Sequence, residues 1–201
     1  MTKRRVLIGS GNAHKIRELK TLLERIGIEA VTLDELAEPP PEPDETADTF
    51  EGNARAKALE YARSTGLWTL ADDSGLEVEA LGGRPGVRSA RYSGPDASDG
   101  SNNAKLQAEM ASIPDDRRAA RYVAVVALAS PERILALARG ECAGTILREP
   151  RGDAGFGYDP LFLVPDRERT FAELGHEVKS RISHRAQALE RLEAELSRLL
   201  G

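Results

Sequence analysis

The chain has 201 residues, 40% hydrophobic and 30% charged, with a formal net charge of -5 at neutral pH. That balance suits a folded globular chain with a sizeable core and excludes a disordered one. Acids and bases are mixed along its length, which argues against nucleic acid as a partner, and a single cysteine, Cys142, excludes an internal disulfide. A small anionic ligand stays compatible, because a pocket's local field need not follow the net charge. No apolar run approaches the length of a membrane span and no signal-peptide pattern opens the chain, so a cytoplasmic location without membrane contact is expected.

Residues 5–9 predict a buried strand. A helix follows, with Ile16, Leu19, Leu22, Leu23 and Ile26 on one face and Gly27 as its stop. Residues 29–33 predict a second strand, giving a βαβ start. Residues 38–44 are crowded with prolines and predict an extended loop outside the central sheet. A helix over about 48–64 comes next, with Asp48 or Thr49 as its N-cap, then a strand over 68–72. Four glycines and two prolines within 82–95 predict an irregular segment. A third helix over about 99–110 precedes two strands, 119–129 and 133–145. Ser130-Pro131-Glu132 reads as the hairpin turn between them, so this half of the sheet is expected to be antiparallel. Residues 149–160 read as loop, and 183–200 as the clearest helix, with Ala186, Leu189, Leu192, Leu196 and Leu199 near helical spacing. The expected fold is α/β: a mixed central sheet with flanking helices, one domain over residues 1–201, in two lobes with a cleft.

Three clusters carry the chemistry. Ala71-Asp72-Asp73-Ser74-Gly75-Leu76 reads as a buried strand delivering two carboxylates at its end, where open α/β sheets place a ligand. Such acids hold a divalent cation or activate water; alone, they suit a solvated turn equally well. Ser10-Gly11-Asn12-Ala13-His14-Lys15 lies between a strand and a helix, where backbone N–H groups and the dipole favour an anion. It matches neither the P-loop nor the dinucleotide fingerprint, so a structural turn with a surface lysine is an equal reading. Ser183-His184-Arg185, with Lys179 nearby, stands at the mouth of the last helix. Ser183 there is a natural N-cap, but His184 and Arg185 oppose the macrodipole, which points to a ligand's need for them. Gly155-Phe156-Gly157-Tyr158-Asp159-Pro160 adds an aromatic face framed by glycines, suited to a flat group and equally to core packing. Glu45, Thr46, Glu51, Asn53 and Lys57 add polar residues that by themselves read as a solvated face.

Taken together, these fragments resemble the inosine triphosphate pyrophosphatase family, the Ham1 or RdgB-type purine nucleotide pyrophosphatases, from Val6 to the last helix. The resemblance also rests on Glu45-Thr46 leading to Thr49-Phe50-Glu51-Gly52-Asn53-Ala54, and on Pro85-Gly86-Val87-Arg88-Ser89-Ala90-Arg91-Tyr92-Ser93-Gly94. Two positions depart from the usual pattern: Ala47 stands where a glycine follows Glu-Thr, and Gly52 where a second acid is common. What the resemblance implies is hydrolysis of deaminated or oxidised purine nucleoside triphosphates (ITP, dITP, XTP) between the α and β phosphates. It further implies phosphates on Ser10, Gly11, Asn12, Ala13, His14 and Lys15, and Mg²⁺ on Asp73 and Glu45. Asp73 would also orient or deprotonate the attacking water, with Asp72 as support or alternative ligand, and Ser74 would donate to the substrate. The base would stack on Phe156, lined by Gly157 and Tyr158, with Asp159, Lys179, His184 and Arg185 reading its edge. The family's usual state implies a homodimer. A nucleotide-binding module without catalysis and a nicotinamide-dependent oxidoreductase are the alternatives from other classes; neither explains the later motifs.

Overall fold

A computed structural model describes residues 5–200. Its frame is a βαβ unit: β1 (Arg5–Ile8), α1 (Ala13–Arg25) and β2 (Glu29–Thr32). β1 pairs in parallel with β2 on one edge and with β3 (Trp68–Val78) on the other, Ile8 standing opposite Leu70. α2 (Phe50–Thr65) connects β2 to β3; Thr49 caps its start through the Gly52 N–H and Gly66, in the left-handed region, ends it. β4 (Ala119–Ala129) and β5 (Ile134–Ile146) are joined by a tight turn closed by the Ser130 N–H on the Arg133 carbonyl. β6 (Phe162–Val164) and β7 (Arg169–Thr170) complete a seven-stranded sheet in the order β2-β1-β3-β4-β5-β6-β7, antiparallel from β5 to β7. The expected mixed α/β sheet with flanking helices is the observed one.

These elements fall into two compact units, one holding residues 5–73, 124–140 and 185–200 of the described chain, the other 74–123 and 141–184. In the first unit, strand alternation sorts the core. Val6, Ile8 and Leu70 pack with Leu19, Leu22 and Leu23 of α1 and with Leu189 and Leu192 of α5 (His184–Leu200). Leu7, of opposite parity, packs with Val31 and with Tyr61 of α2. Thus α1 and α5 cover one face of the sheet and α2 the other. Each leucine so buried contributes roughly 1.5–3 kcal/mol, so tertiary packing holds these helices more than intrinsic propensity does.

In the second unit, Leu106 and Met110 of α3 (Asp99–Met110) and Phe171 of α4 (Phe171–Ile182) join Leu76, Val78, Tyr122, Ile146, Tyr158 and Phe162 in a separate core. Buried Arg118 has its guanidinium satisfied by backbone, bonding the carbonyls of Met110 and Ile146 at 2.7 Å and Leu147 at 3.1 Å.

Two expectations are corrected. β3 does not end at Asp72 but runs on to Val78, so the acid pair lies mid-strand. It still lies just past the parallel pairing, because β1 stops at Ile8 and the Gly9 N–H closes onto the Leu70 carbonyl. The second correction is α4, which occupies a stretch not foreseen as helix and is broken by Gly175 at φ 71°. Lys179 therefore sits in the last turn of α4, and Ser183 is the residue on which α4 ends.

Candidate active site

The parity that sorts the core also sorts the two acids. Asp72 shares a face with Leu70 and meets α1 and α5; Asp73 faces α2. Asp72 is fully buried, and its Oδ2 receives Lys15 Nζ at 3.2 Å and Arg185 Nε at 3.1 Å. Arg185 Nη1 in turn bonds Glu18 Oε2 at 2.7 Å. Burial alone would raise the Asp72 carboxyl, but the charges of Lys15, Arg185 and Lys57 overcome it and hold the group well below the usual carboxylate range. Its Oδ1 has no hydrogen-bond partner. Asp72 is thus an ionised anchor for two cations.

Asp73, also buried, has different partners. Its Oδ2 accepts from Asn53 Nδ2 at 3.0 Å. Burial, and then the charge of Glu45, push its carboxyl up to about 6, against the pull of Asn53, Lys15 and Lys57. Glu45 is held at the end of the proline loop by a close contact with Lys57 Nζ. Burial works against the Lys57 charge, but its contact with Glu45 and the charges of Glu45, Asp72 and Asp73 leave its pKa raised. Asn53 and Lys57, four apart on α2, share one helix face and are both buried. Among the described residues no three His, Cys, Asp or Glu side chains stand together as a self-sufficient metal cage. Mg²⁺ commonly takes only one or two carboxylates and fills its octahedron with water and phosphate oxygens. Asp73 and Glu45 fit that ion.

The loop before α1 is built differently from the expectation of open amides. Asn12 caps the helix, its Oδ1 accepting the N–H groups of His14 at 2.9 Å and Lys15 at 3.3 Å. Ser10 Oγ accepts the Asn12 N–H at 3.2 Å. The capping side chain thus satisfies two of the amides that an anion would use. Gly11, Asn12 and Ala13 remain exposed, and His14 and Lys15 half-buried.

In the second unit, Phe156, Asp159, Lys179 and His184 do come together. Lys179 Nζ lies 4.0 Å from the Phe156 ring centroid and contacts the Asp159 carboxylate. Asp159 Oδ2 also accepts the Phe156 N–H at 3.0 Å, and Oδ1 the Tyr122 hydroxyl at 3.4 Å. Burial pushes the Asp159 carboxyl up, against the pull of Lys179, the Phe156 N–H and Tyr122. The His184 ring stacks on Tyr122, centroids 4.8 Å apart and 11° from parallel. A β-carbon at Gly155, where φ is 86°, would collide with the Asp159 carboxylate, so only glycine serves there.

Three of the expected substrate-binding residues have partners within the protein. Arg185 pairs with Asp72 and Glu18. Tyr158 is a core residue, its hydroxyl on the Ser89 carbonyl at 2.8 Å. Asp159 is the counter-ion of Lys179 and the brace of the Phe156 loop. Ser74 follows Asp73 in β3 and is half-buried. Glu18 and Tyr122 are not among the residues the sequence points to, and Asn53 and Lys57, which read there as a solvated face, are buried. A signal existed for three of them: Glu18 follows Lys15 by three residues and Lys57 follows Asn53 by four, spacings that share a helix face.

The sequence model of the Ham1 family matches residues 6–195. A protein of Exiguobacterium sibiricum named dITP/XTP pyrophosphatase is 46% identical over 197 residues, covering 98% of this chain and 99% of the relative. A Nocardia farcinica protein of the same name is 48% identical, covering 96% and 94%. The solved structure of a HAM1 protein from Coxiella burnetii superposes with a TM-score of 0.90 at 40% identity, covering 97% of this chain and 99% of that one. This chain belongs to the Ham1 family.

Proposed function

We propose that this chain hydrolyses deaminated or oxidised purine nucleoside triphosphates (dITP, XTP and ITP) to the monophosphate and pyrophosphate. The observation that carries the reading is the division of labour between adjacent acids, with Asp72 locked between cations and Asp73 held near neutral pKa beside Glu45. The names borne by the Exiguobacterium and Nocardia relatives support the same substrate class.

Asp73 and Glu45 hold Mg²⁺ in this reading. When bound, the ion supplies positive charge to the phosphate oxygens. Asp73 orients the attacking water and takes its proton as the water oxygen bonds the α-phosphorus, the bond from that phosphorus to the α–β bridging oxygen breaks, and pyrophosphate departs with that oxygen. A carboxylate with a pKa near 6 is ionised at neutral pH yet basic enough to accept that proton. Lys15 and Lys57 supply fixed cations to the phosphates, and the exposed residues Gly11, Asn12 and Ala13 give them room, with Ser74 donating through its hydroxyl. Asp72 and Arg185 act through Lys15, keeping its ammonium in place.

Base recognition falls to the Phe156 cluster. The ring stacks on the purine, and Lys179 and His184 address its edge. A 6-oxo purine accepts a hydrogen bond from a donor there, whereas adenine presents an amino group and leaves a buried donor unpaired, at about 1–3 kcal/mol. Among the described residues no helix is long and apolar enough to cross a membrane. A cytoplasmic setting suits an enzyme of the nucleotide pool. The homodimer, and residues 1–201 as one catalytic domain, rest on the family resemblance.

The test is kcat/KM for dITP, XTP, dATP and dGTP with Mg²⁺. The reading expects dITP and XTP to exceed dATP by at least about 100-fold, the scale of one or two hydrogen bonds gained and unpaired. Equal turnover of dATP and dITP would remove the base-reading role from this cluster.

A further inference from the structure

We propose that Asp99 and Asn103 of α3 are positioning residues for base selection, holding the two peptides that flank the Gly157 α-carbon and so setting the Phe156 ring. The Gly157 N–H donates to Asp99 Oδ2 at 2.7 Å. The Gly157 carbonyl accepts from Asn103 Nδ2 at 2.8 Å, and the same nitrogen donates to the Asp99 carbonyl at 2.8 Å. More than fifty residues of chain separate these partners, so the bonds are tertiary and not local turn chemistry.

The reason such a grip is needed lies in the loop itself. Phe156 is flanked by Gly155 at φ 86° and Gly157 at φ 62°, residues that leave the backbone many conformations. Asp159 fixes the near side, accepting the Phe156 N–H at 3.0 Å while its own N–H reaches the Phe156 carbonyl at 3.3 Å. The far side is fixed by α3 alone among the hydrogen bonds described here. One carboxylate bond holds the N–H of the 156–157 peptide and one amide bond the carbonyl of the 157–158 peptide, and the carboxylate bond, being charge-assisted, is the stronger. Neither side chain bonds the Phe156 ring; both act through the backbone next to it. A ring that is to stack on a purine must hold its plane, because stacking depends on overlap and not merely on proximity.

This inference rests on the reading of Phe156 as the base platform, and the experiment separates the two. In the full chain, kcat and KM for dITP and dATP are measured for Asn103→Ala, Asp99→Ala, Asp99→Asn, Phe156→Ala and the double variant Phe156→Ala/Asn103→Ala, with melting curves. Asn103→Ala and Asp99→Ala should raise KM for dITP about tenfold, leave its kcat within about twofold, and narrow the preference over dATP. Asp99→Asn, which keeps an oxygen for the Gly157 N–H, should recover most of the loss. In the Phe156→Ala background, Asn103→Ala should add nothing, which a merely structural role would not produce. Where alanine unfolds the protein, Asn103→Asp keeps the packing but lacks the donor, and should give the same KM rise. A wild-type KM and preference in Asn103→Ala and Asp99→Ala, beside a raised KM in Phe156→Ala, would overturn the grip and leave the platform standing. Equal effects of Asn103→Ala with and without Phe156 would also overturn it. An unchanged KM in Phe156→Ala would overturn the platform reading and the grip with it.

Discussion

Asn53 donates to Asp73 Oδ2 at 3.0 Å and, from the other end of the same carboxamide, accepts the Ala47 N–H at 2.9 Å. One buried side chain on α2 therefore ties the acid in β3 to the loop that carries Glu45 two residues earlier. Asn53→Ala severs both ties. The expected outcome is a fall in kcat of about 10–100-fold with a stability loss of about 1–3 kcal/mol, read as a Tm lowered by a few degrees. Full activity at the lower Tm would make Asn53 structural only.

Asp72→Asn and Asp73→Asn should fail in opposite ways. Asp72→Asn leaves Arg185 buried and short of a counter-ion, which costs about 3–5 kcal/mol, or a Tm drop of roughly 6–20 °C. Asp73→Asn removes a carboxylate that burial and Glu45 already disfavour, so its Tm should hold or rise while turnover falls about 10²–10⁴-fold. Thermal melts and kcat for both variants check this. A stable Asp72→Asn would contradict the anchor, and near-normal turnover in Asp73→Asn would move the base elsewhere.

The pH dependence has a defined sign. Asp73, raised to about 6, is protonated below that pH and then neither holds a cation nor accepts a proton. Activity (kcat/KM) should fall about tenfold per pH unit on the acid side. Because metal and proton compete for the carboxylate, more Mg²⁺ should move that limb to lower pH. Stability runs the other way at this residue. Its folded pKa lies above the unfolded value near 3.9, so the fold favours the protonated form and loses stability as pH rises from about 4 through about 6. Melts of wild type and Asp73→Asn across that window should show the variant gaining on the wild type as pH rises. Asp72, held low, contributes stability above about 3.9 that is lost on acidification.

Lys179→Met should keep the aliphatic stem but lose the ammonium beside Asp159 and over Phe156. We expect kcat/KM for dITP to fall about 10–100-fold, the scale of one charge-assisted hydrogen bond at about 1.5–3 kcal/mol, and dATP to lose much less. Steady-state rates for both nucleotides decide it; a parallel fall would assign Lys179 to folding of the loop.

Much of this was legible in the residues and some was not, for physical reasons. α1 and α5 carry apolar residues at helical spacing and stand where that spacing puts them. β6 and β7 span three and two residues, too short to carry a period, and the glycine that breaks α4 hides its pattern. Asp72-Asp73 announced its chemistry but not its division of labour, which follows from strand parity relative to Leu70 and from the helices on each face. Arg185 stands in the Ser183-His184-Arg185 motif, but its burial against Asp72 and Glu18 joins positions 113 and 167 residues apart, which no local pattern encodes. Asn53 and Lys57 looked like a solvated face because the cover over them is tertiary.

The central claim is tested most directly by the phosphorus product formed from dITP. With Mg²⁺ and no added pyrophosphatase, the account predicts dIMP and pyrophosphate in equal amounts, abolished by chelation and by Asp73→Asn. Orthophosphate and dIDP as the first products would put the cleavage at the β–γ bridge and contradict it.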